Sequence, residues 1–252
     1  MPNTLKQHWE AGKPTINGWL AVPSGFAAEV MARAGWDSVT VDMQHGVQDY
    51  QSMVQCFQGM QGSPVVPMVR VPWNEPGIIG KALDGGAYGI ICPMINSRAE
   101  AEAFVASVRY PPQGRRSNGP IRAGIYGQST AYQMTANEEI LCIPMIETEQ
   151  AVNDLEHILD VPGIDAVYIG PSDLSFSMGG TPTLDQTNDK QIGMYEKILR
   201  ETKKRELYTC IHCGTTDYAR RMHQMGFNLI TVGSDAVFIA QGAAAAVKAM
   251  RA

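Results

Sequence analysis

The stretch VTVDMQHGVQDY, residues 39–50, brings Asp42, Gln44 and His45 together where an alternating apolar run stops. A carboxylate beside an imidazole can move a proton near neutral pH, because histidine titrates there without help. Other apolar runs carry or end on comparable groups: Arg70 in VVPMVRVP, Glu147 in LCIPMIE, Asp173 in AVYIGPSD, Ser234 and Asp235 in LITVGSD. A guanidinium offers a fork of donors to a developing oxyanion. Glu147 and Asp173 offer two hard oxygen ligands, a set that suits Mg²⁺ or Mn²⁺ with positions left for water and a substrate's oxygen pair. Each residue alone has an ordinary alternative: a helix cap for Asp42 or Asp173, a structural ion pair for Arg70, a core or surface histidine for His45. Charges ending several nearly buried runs are costly unless paired or metal-bound, so their repetition favours a site.

Other candidates are weaker. In CIHC, Cys210 and Cys213 are three residues apart on one apolar run, so their thiols point to opposite faces and do not clamp one metal. None of the lysines ends an apolar run, which leaves a Schiff-base mechanism without a nucleophile and assigns carbonyl chemistry to a metal. The loop QGRRSNG, 113–119, offers Arg115 and Arg116 to a phosphate or carboxylate, and equally reads as an exposed loop with solvated arginines.

The elements that must position these groups are eight apolar, β-branched runs, at 16–23, 38–44, 65–72, 89–95, 141–147, 166–173, 208–214 and 229–235. Amphipathic stretches such as GFAAEVMARAGW, SRAEAEAFVASVR, EQAVNDLEHILD and TTDYARRMHQMGF separate them. Near-continuous apolar strands alternating with helices imply parallel strands covered on both sides. Eight such units predict a single-domain α/β fold over 1–252, a (β/α)8 TIM barrel, with a doubly wound sheet as runner-up. Chemistry in such a barrel sits at the C-terminal strand ends, where the polar groups fall. The one long irregular stretch is predicted at 110–132.

The 252 residues suffice for a large core, and 44% hydrophobic with 18% charged residues is ordinary globular composition. A net charge of −5 argues against a broad nucleic-acid footprint. KKR at 203–205 reads as a solvated helix end, and the 14 methionines as core filler. No apolar stretch reaches membrane-spanning length, and the N-terminus lacks an apolar signal core, so a cytoplasmic protein without a membrane partner is expected. Five scattered cysteines fit reduced, buried thiols.

The segments VDMQHGVQD, PMVRVPWNEPGIIGKALDGGAYGIICPMI, YPPQGRR, IPMIETEQAV and GIDAVYIGPSDLS resemble the class II pyruvate aldolases of the HpcH/HpaI family, of the 4-hydroxy-2-oxoheptanedioate and 2-dehydro-3-deoxyglucarate aldolase type. The similarity runs from about residue 5 to the C-terminus. It implies a (β/α)8 barrel assembled as a homo-hexamer, a trimer of dimers, with a divalent ion: Mg²⁺, Mn²⁺ or, as a further candidate, Co²⁺. It implies Glu147 and Asp173 as metal ligands, Arg70 on the keto or enolate oxygen, and His45 as general base acting with Asp42. Gly170, Pro171 and Ser172 belong to the segment facing the substrate carboxylate, and Asp84, in KALDGG, matches a residue that reaches a neighbouring subunit's site. Where members of the family read Asp-Gly-Glu-His, this chain has Asp42-Met43-Gln44-His45, one negative charge fewer, and SNGPIRAGIYGQSTAY also departs from the family pattern. The expected activity is metal-dependent aldol cleavage or formation at the C3–C4 bond of a 4-hydroxy-2-oxo acid. The partners are small molecules, a 2-oxo acid of the pyruvate or hydroxypyruvate kind and an aldehyde. The alternatives are a CoA-ester lyase of the citramalyl or malyl type, for which Arg115, Arg116 and Arg122 are the candidate phosphate contacts, and a catalytically idle barrel.

Overall fold

The computed structural model describes residues 2–127 and 129–252. Its elements run α1 (Thr4–Glu10), β1 (Thr15–Leu20), α2 (Gly25–Ala32), β2 (Ser38–Asp42), α3 (Tyr50–Gly59), β3 (Val66–Arg70), α4 (Pro76–Asp84), β4 (Gly89–Cys92), α5 (Arg98–Val108), α6 (Ile121–Gly127), α7 (Ser129–Glu139) and β5 (Leu141–Ile146). They continue with α8 (Glu149–Asn153), α9 (Leu155–Leu159), β6 (Ala166–Ile169), α10 (Pro171–Ser177), α11 (Asp189–Lys204), β7 (Tyr208–Cys213), α12 (Thr216–Met225), β8 (Leu229–Val232) and α13 (Asp235–Arg251). The strands are parallel and close in sequence order, β8 pairing back onto β1. The (β/α)8 barrel expected from the eight apolar runs is the fold.

Strand parity sorts the side chains into two cores. On β2, Val39 and Val41 join the core between strands and helices, while Ser38 and Thr40 turn inward and donate to Asn17 Oδ1 at 2.8 and 3.0 Å. The interior core includes Trp19, Met68, Ile143, Met145 and Tyr168. Leu5 and Trp9 of α1 join that interior core, and Trp9 Nε1 donates to Thr15 Oγ1 at 2.8 Å. α1 therefore packs into the end of the barrel where the strands begin, which leaves the opposite end for the site.

The strands stop two to four residues before most of the apolar runs do, because the last residues of each run leave the ladder to form the mouth. EQAVNDLEHILD breaks into α8 and α9 at Asp154. The stretch 110–132 is irregular only in its first half: Ile121–Gly127 and Ser129–Glu139 are helical, and Gln128 lies outside the described residues. In KKR, Arg205 is not a free solvated charge but pairs with Asp160 at 2.6 Å and Glu201 at 3.1 Å.

α13 packs on the barrel through its first turn, where Phe238 stacks on Trp36 with ring centres 6.3 Å apart. Asp235 is its one buried residue, and its carboxylate accepts the backbone N–H groups of Ala21 and Val22 at 2.8 and 3.1 Å. The rest of the helix is exposed, Ile239, Val247 and Met250 included, and Ile16, Phe26 and Val30 are exposed on β1 and α2.

Candidate active site

The C-terminal strand ends surround a cavity of about 570 Å³. β2 and β3 are in register at their last residues, Asp42 against Arg70, and the side chains meet there. Arg70 donates from Nε to Asp42 Oδ1 at 2.8 Å and from Nη2 to Oδ2 at 2.6 Å, a two-pronged, charge-assisted pair. Asp42 also accepts from Trp19 Nε1 at 3.2 Å and from the backbone N–H groups of Gln44 and His45 at 3.1 and 3.4 Å. The guanidinium carbon lies 4.9 Å from the Trp19 ring centre. Burial opposes the Arg70 charge, but the hydrogen bonds and charge of Asp42 outweigh it and raise the pKa, so the guanidinium stays ionised. Nη1 makes no hydrogen bond to a described residue and is the donor left for a ligand.

After β2 the chain turns through Gly46 at φ 91°, a conformation glycine takes without a Cβ clash. The turn leaves His45 exposed on the cavity lining.

Glu147 follows β5 and is 2% exposed. Its Oε1 accepts the Met94 N–H at 2.8 Å, and Met94 holds φ 56°, a left-handed conformation uncommon for a residue with a side chain. Its Oε2 is buried without a hydrogen-bond partner. Burial pushes the Glu147 carboxyl up to about 7; the Met94 hydrogen bond opposes this and the Asp173 charge adds to it. Gly170 makes room for the group, since a Cβ there would stand 2.5 Å from Oε2. Asp173, in the first turn of α10, lies exposed on the cavity wall. Among the described residues, no group of three or more His, Cys, Asp or Glu is placed to hold a metal. Two carboxylates, one with an orphaned buried oxygen, nonetheless fit a hard divalent ion that keeps water and takes further oxygens from substrate.

Residues 18–241 match the family model described as HpcH/HpaI aldolase/citrate lyase. A hydroxypyruvate/pyruvate aldolase of Rhizorhabdus wittichii is 35% identical over 242 residues, 96% of each chain. A 4-hydroxy-2-oxo-heptane-1,7-dioate aldolase of Escherichia coli is 34% identical over 251 residues, 97% of this chain and 94% of the other. The crystal structure of an HpcH/HpaI aldolase/citrate lyase family protein from Burkholderia cenocepacia superposes with a TM-score of 0.92 at 30% identity, covering 99% of this chain and 100% of that one. This chain belongs to the HpcH/HpaI aldolase/citrate lyase family. As a family member with aldolase relatives along its whole length, it is a carbon–carbon lyase.

Within this HpcH/HpaI barrel, the cavity gathers Asp42, His45, Arg70, Gly170, Pro171, Ser172 and Asp173, with Glu147 packed against Gly170. Asp84 is not among them. It ends α4, accepts from Arg116 Nη2 at 2.8 Å, and lines an outer cleft of about 850 Å³ with Arg115, Arg116 and Arg122. Asp42 was expected to work on the His45 imidazole, but its carboxylate holds Arg70 and reaches only the His45 backbone. Arg116, for which the sequence left anion binding and a solvated loop equally open, is buried, with its guanidinium 4.3 Å from the Tyr110 ring centre. Gln44 leaves Oε1 buried without a partner. Cys210 and Cys213 are both buried, one in each core, as parity requires. The aromatic residues of the cavity lining that can hydrogen-bond, Trp19, Tyr168 and His212, escaped the sequence. Parity carried the missing signal, because His212 lies two residues beyond inward-facing Cys210 and Tyr168 two before Gly170.

Proposed function

We propose that this chain is a divalent-metal aldolase that makes and breaks the C3–C4 bond of 4-hydroxy-2-oxo acids through a pyruvate-type enolate, releasing an aldehyde. The orphaned, buried Oε2 of Glu147 beside Asp173, on a cavity into which Arg70 is braced, carries this reading. Glu147 and Asp173 would hold Mg²⁺ or Mn²⁺, with Co²⁺ a further candidate, and the bound ion supplies Lewis-acid stabilisation of enolate charge. Arg70 Nη1 donates to the ketone oxygen, and that hydrogen bond strengthens as the oxygen becomes an enolate. The substrate carboxylate lies toward Gly170, Pro171 and Ser172. His45, on the rim, takes the 4-hydroxyl proton as the C3–C4 bond breaks; the aldehyde leaves and the enolate regains a proton at C3.

The CoA-ester lyase alternative needs a basic cleft continuous with the site. Arg115, Arg116 and Arg122 do line one cleft, but it shares no residue with the mouth cavity. For Asp84 the reading is a role in a neighbour's site, within a homo-hexamer built as a trimer of dimers. The exposed apolar residues of α13 and of the nearby barrel wall support self-association. The compartment that fits small 2-oxo acids and reduced cysteines is the cytoplasm.

The test is cleavage of 4-hydroxy-2-oxo acids with different tails, coupled to 2-oxo acid release, with borohydride trapping in parallel. Cleavage without a covalent adduct is expected. A trapped lysine adduct, or no cleavage of any substrate, contradicts the proposal.

A further inference from the structure

His212 faces the mouth cavity from β7, and the mechanism above leaves it without a task. Its ring is fixed from two sides. Trp19 meets it edge-on, with centroids 4.9 Å apart and planes at 80°. Nδ1 lies 3.1 Å from the Tyr168 hydroxyl. That hydroxyl donates its single proton to Thr231 Oγ1 at 2.7 Å, and Asn17 Nδ2 holds Thr231 Oγ1 in turn at 2.9 Å. With its proton committed, the Tyr168 oxygen can only accept from the imidazole, so Nδ1 carries the ring's hydrogen. Burial first, and then the Arg70 charge, push His212 down to about 4, so the ring is neutral at physiological pH. A neutral imidazole protonated at Nδ1 presents a bare lone pair at Nε2. Nε2 has no hydrogen-bond partner among the described residues.

The result is a pre-oriented acceptor on the wall of the cavity that Arg70 also lines. Ketone and carboxylate oxygens cannot satisfy it, and neither can a methyl group. A hydroxyl can. We infer that His212 Nε2 accepts a hydroxyl carried on C3 of the 2-oxo acid, which makes the site selective for 3-hydroxylated donors, the hydroxypyruvate class, over pyruvate. The inference rests on the aldolase reading: with the ketone oxygen on Arg70, C3 is the next carbon along the chain. The other hydroxyl of the aldol, at C4, is common to the adducts of both donors, so comparing donors isolates the one at C3. A site that pairs a substrate hydroxyl discriminates against the analogue lacking it, because the acceptor is then left unpaired.

The experiment measures kcat/KM for bond formation with hydroxypyruvate and with pyruvate, one aldehyde held constant, in the wild type, His212→Leu, His212→Met and His212→Gln. Leu and Met are expected to lower the hydroxypyruvate-to-pyruvate ratio by roughly tenfold or more. Gln, which places an amide oxygen near the position of Nε2, keeps the ratio within about threefold of wild type. The two apolar variants differ in shape, so a packing defect in one leaves the other decisive. An unchanged ratio in the apolar variants, equal losses on both donors included, overturns the inference. So does a Gln variant that falls as far as Leu. Wild-type protein inactive with both donors overturns the aldolase reading itself, an outcome distinct from activity with an unmoved ratio.

Discussion

Asp42 commits both carboxylate oxygens to the Arg70 fork, at 2.8 and 2.6 Å, and the pair is nearly buried. Its chemical role therefore passes through arginine. In Asp42→Asn the amide still accepts one guanidinium N–H but turns its own N–H₂ against the other, so Arg70 loosens. Turnover is expected to fall roughly 10- to 100-fold, and stability by about 3 kcal/mol, the low end for losing one partner of a buried pair because the amide keeps one hydrogen bond. The pH profile should keep its position while its height drops, because among the described residues the carboxylate makes no hydrogen bond to the His45 imidazole, only to the His45 backbone. A profile displaced along the pH axis at unchanged height would return Asp42 to the proton-transfer step. Residue types in the sequence marked Asp42, His45, Arg70, Glu147 and Asp173 as a group, since charges at apolar run ends are rare and costly. They did not show which charge pairs with which. That depends on the register of β2 against β3, which places Asp42 and Arg70 opposite one another and leaves His45 in the turn.

At the scale of elements, polar side chains at the strand ends tie neighbouring turns together. Asp235 is the clearest case. It opens α13, yet its carboxylate receives the N–H groups of Ala21 and Val22 at the end of β1 and so joins the last βα turn to the first. Asp235→Ala strips three backbone donors, those of Ala21, Val22 and Ala236, of their acceptor and should cost about 2–3 kcal/mol. For a chain of this size that lowers the thermal midpoint by roughly 5–10 °C. Asp235→Asn, which keeps one acceptor, should fall between, and scanning calorimetry on the three proteins checks the order. A midpoint unmoved in the Ala variant removes this tie from the account. Strand types and most helices were legible because the apolar runs are β-branched and most of the stretches between them amphipathic. The boundaries were not, since the last residues of a run stay apolar or small after they leave the ladder to line the mouth. The helices within 121–139 were missed because Gly119, Pro120 and the glycines that follow read as loop. His212 and Tyr168 were missed because apolar context hid their inward parity.

The whole molecule is a closed barrel whose last helix stands away from it beyond its first turn. Exposed Ile239, Val247 and Met250 on α13, with Ile16, Phe26 and Val30 on the wall, are an apolar surface that a second copy of the chain can cover. Light scattering should give about six times the 27.4 kDa of one chain, and a mass of 27.4 kDa at micromolar concentration would leave these residues uncovered and Asp84 without its proposed site. Fold was legible at this scale from the count of eight runs alone; the hexamer entered through the family resemblance, because the exposure of α13's apolar residues is a property of the folded chain. The central claim is that Glu147 and Asp173 hold a cation and Arg70 an enolate, and enolate formation can be watched without any aldehyde. The measurement is exchange of the C3 protons of pyruvate and hydroxypyruvate in D₂O, followed by proton NMR, on chelator-stripped protein with and without added Mg²⁺ or Mn²⁺. Exchange should appear in the wild type only with the metal, and should be lost with it in Glu147→Gln and Arg70→Ala. Metal-independent exchange, or full exchange in Glu147→Gln, would contradict the account.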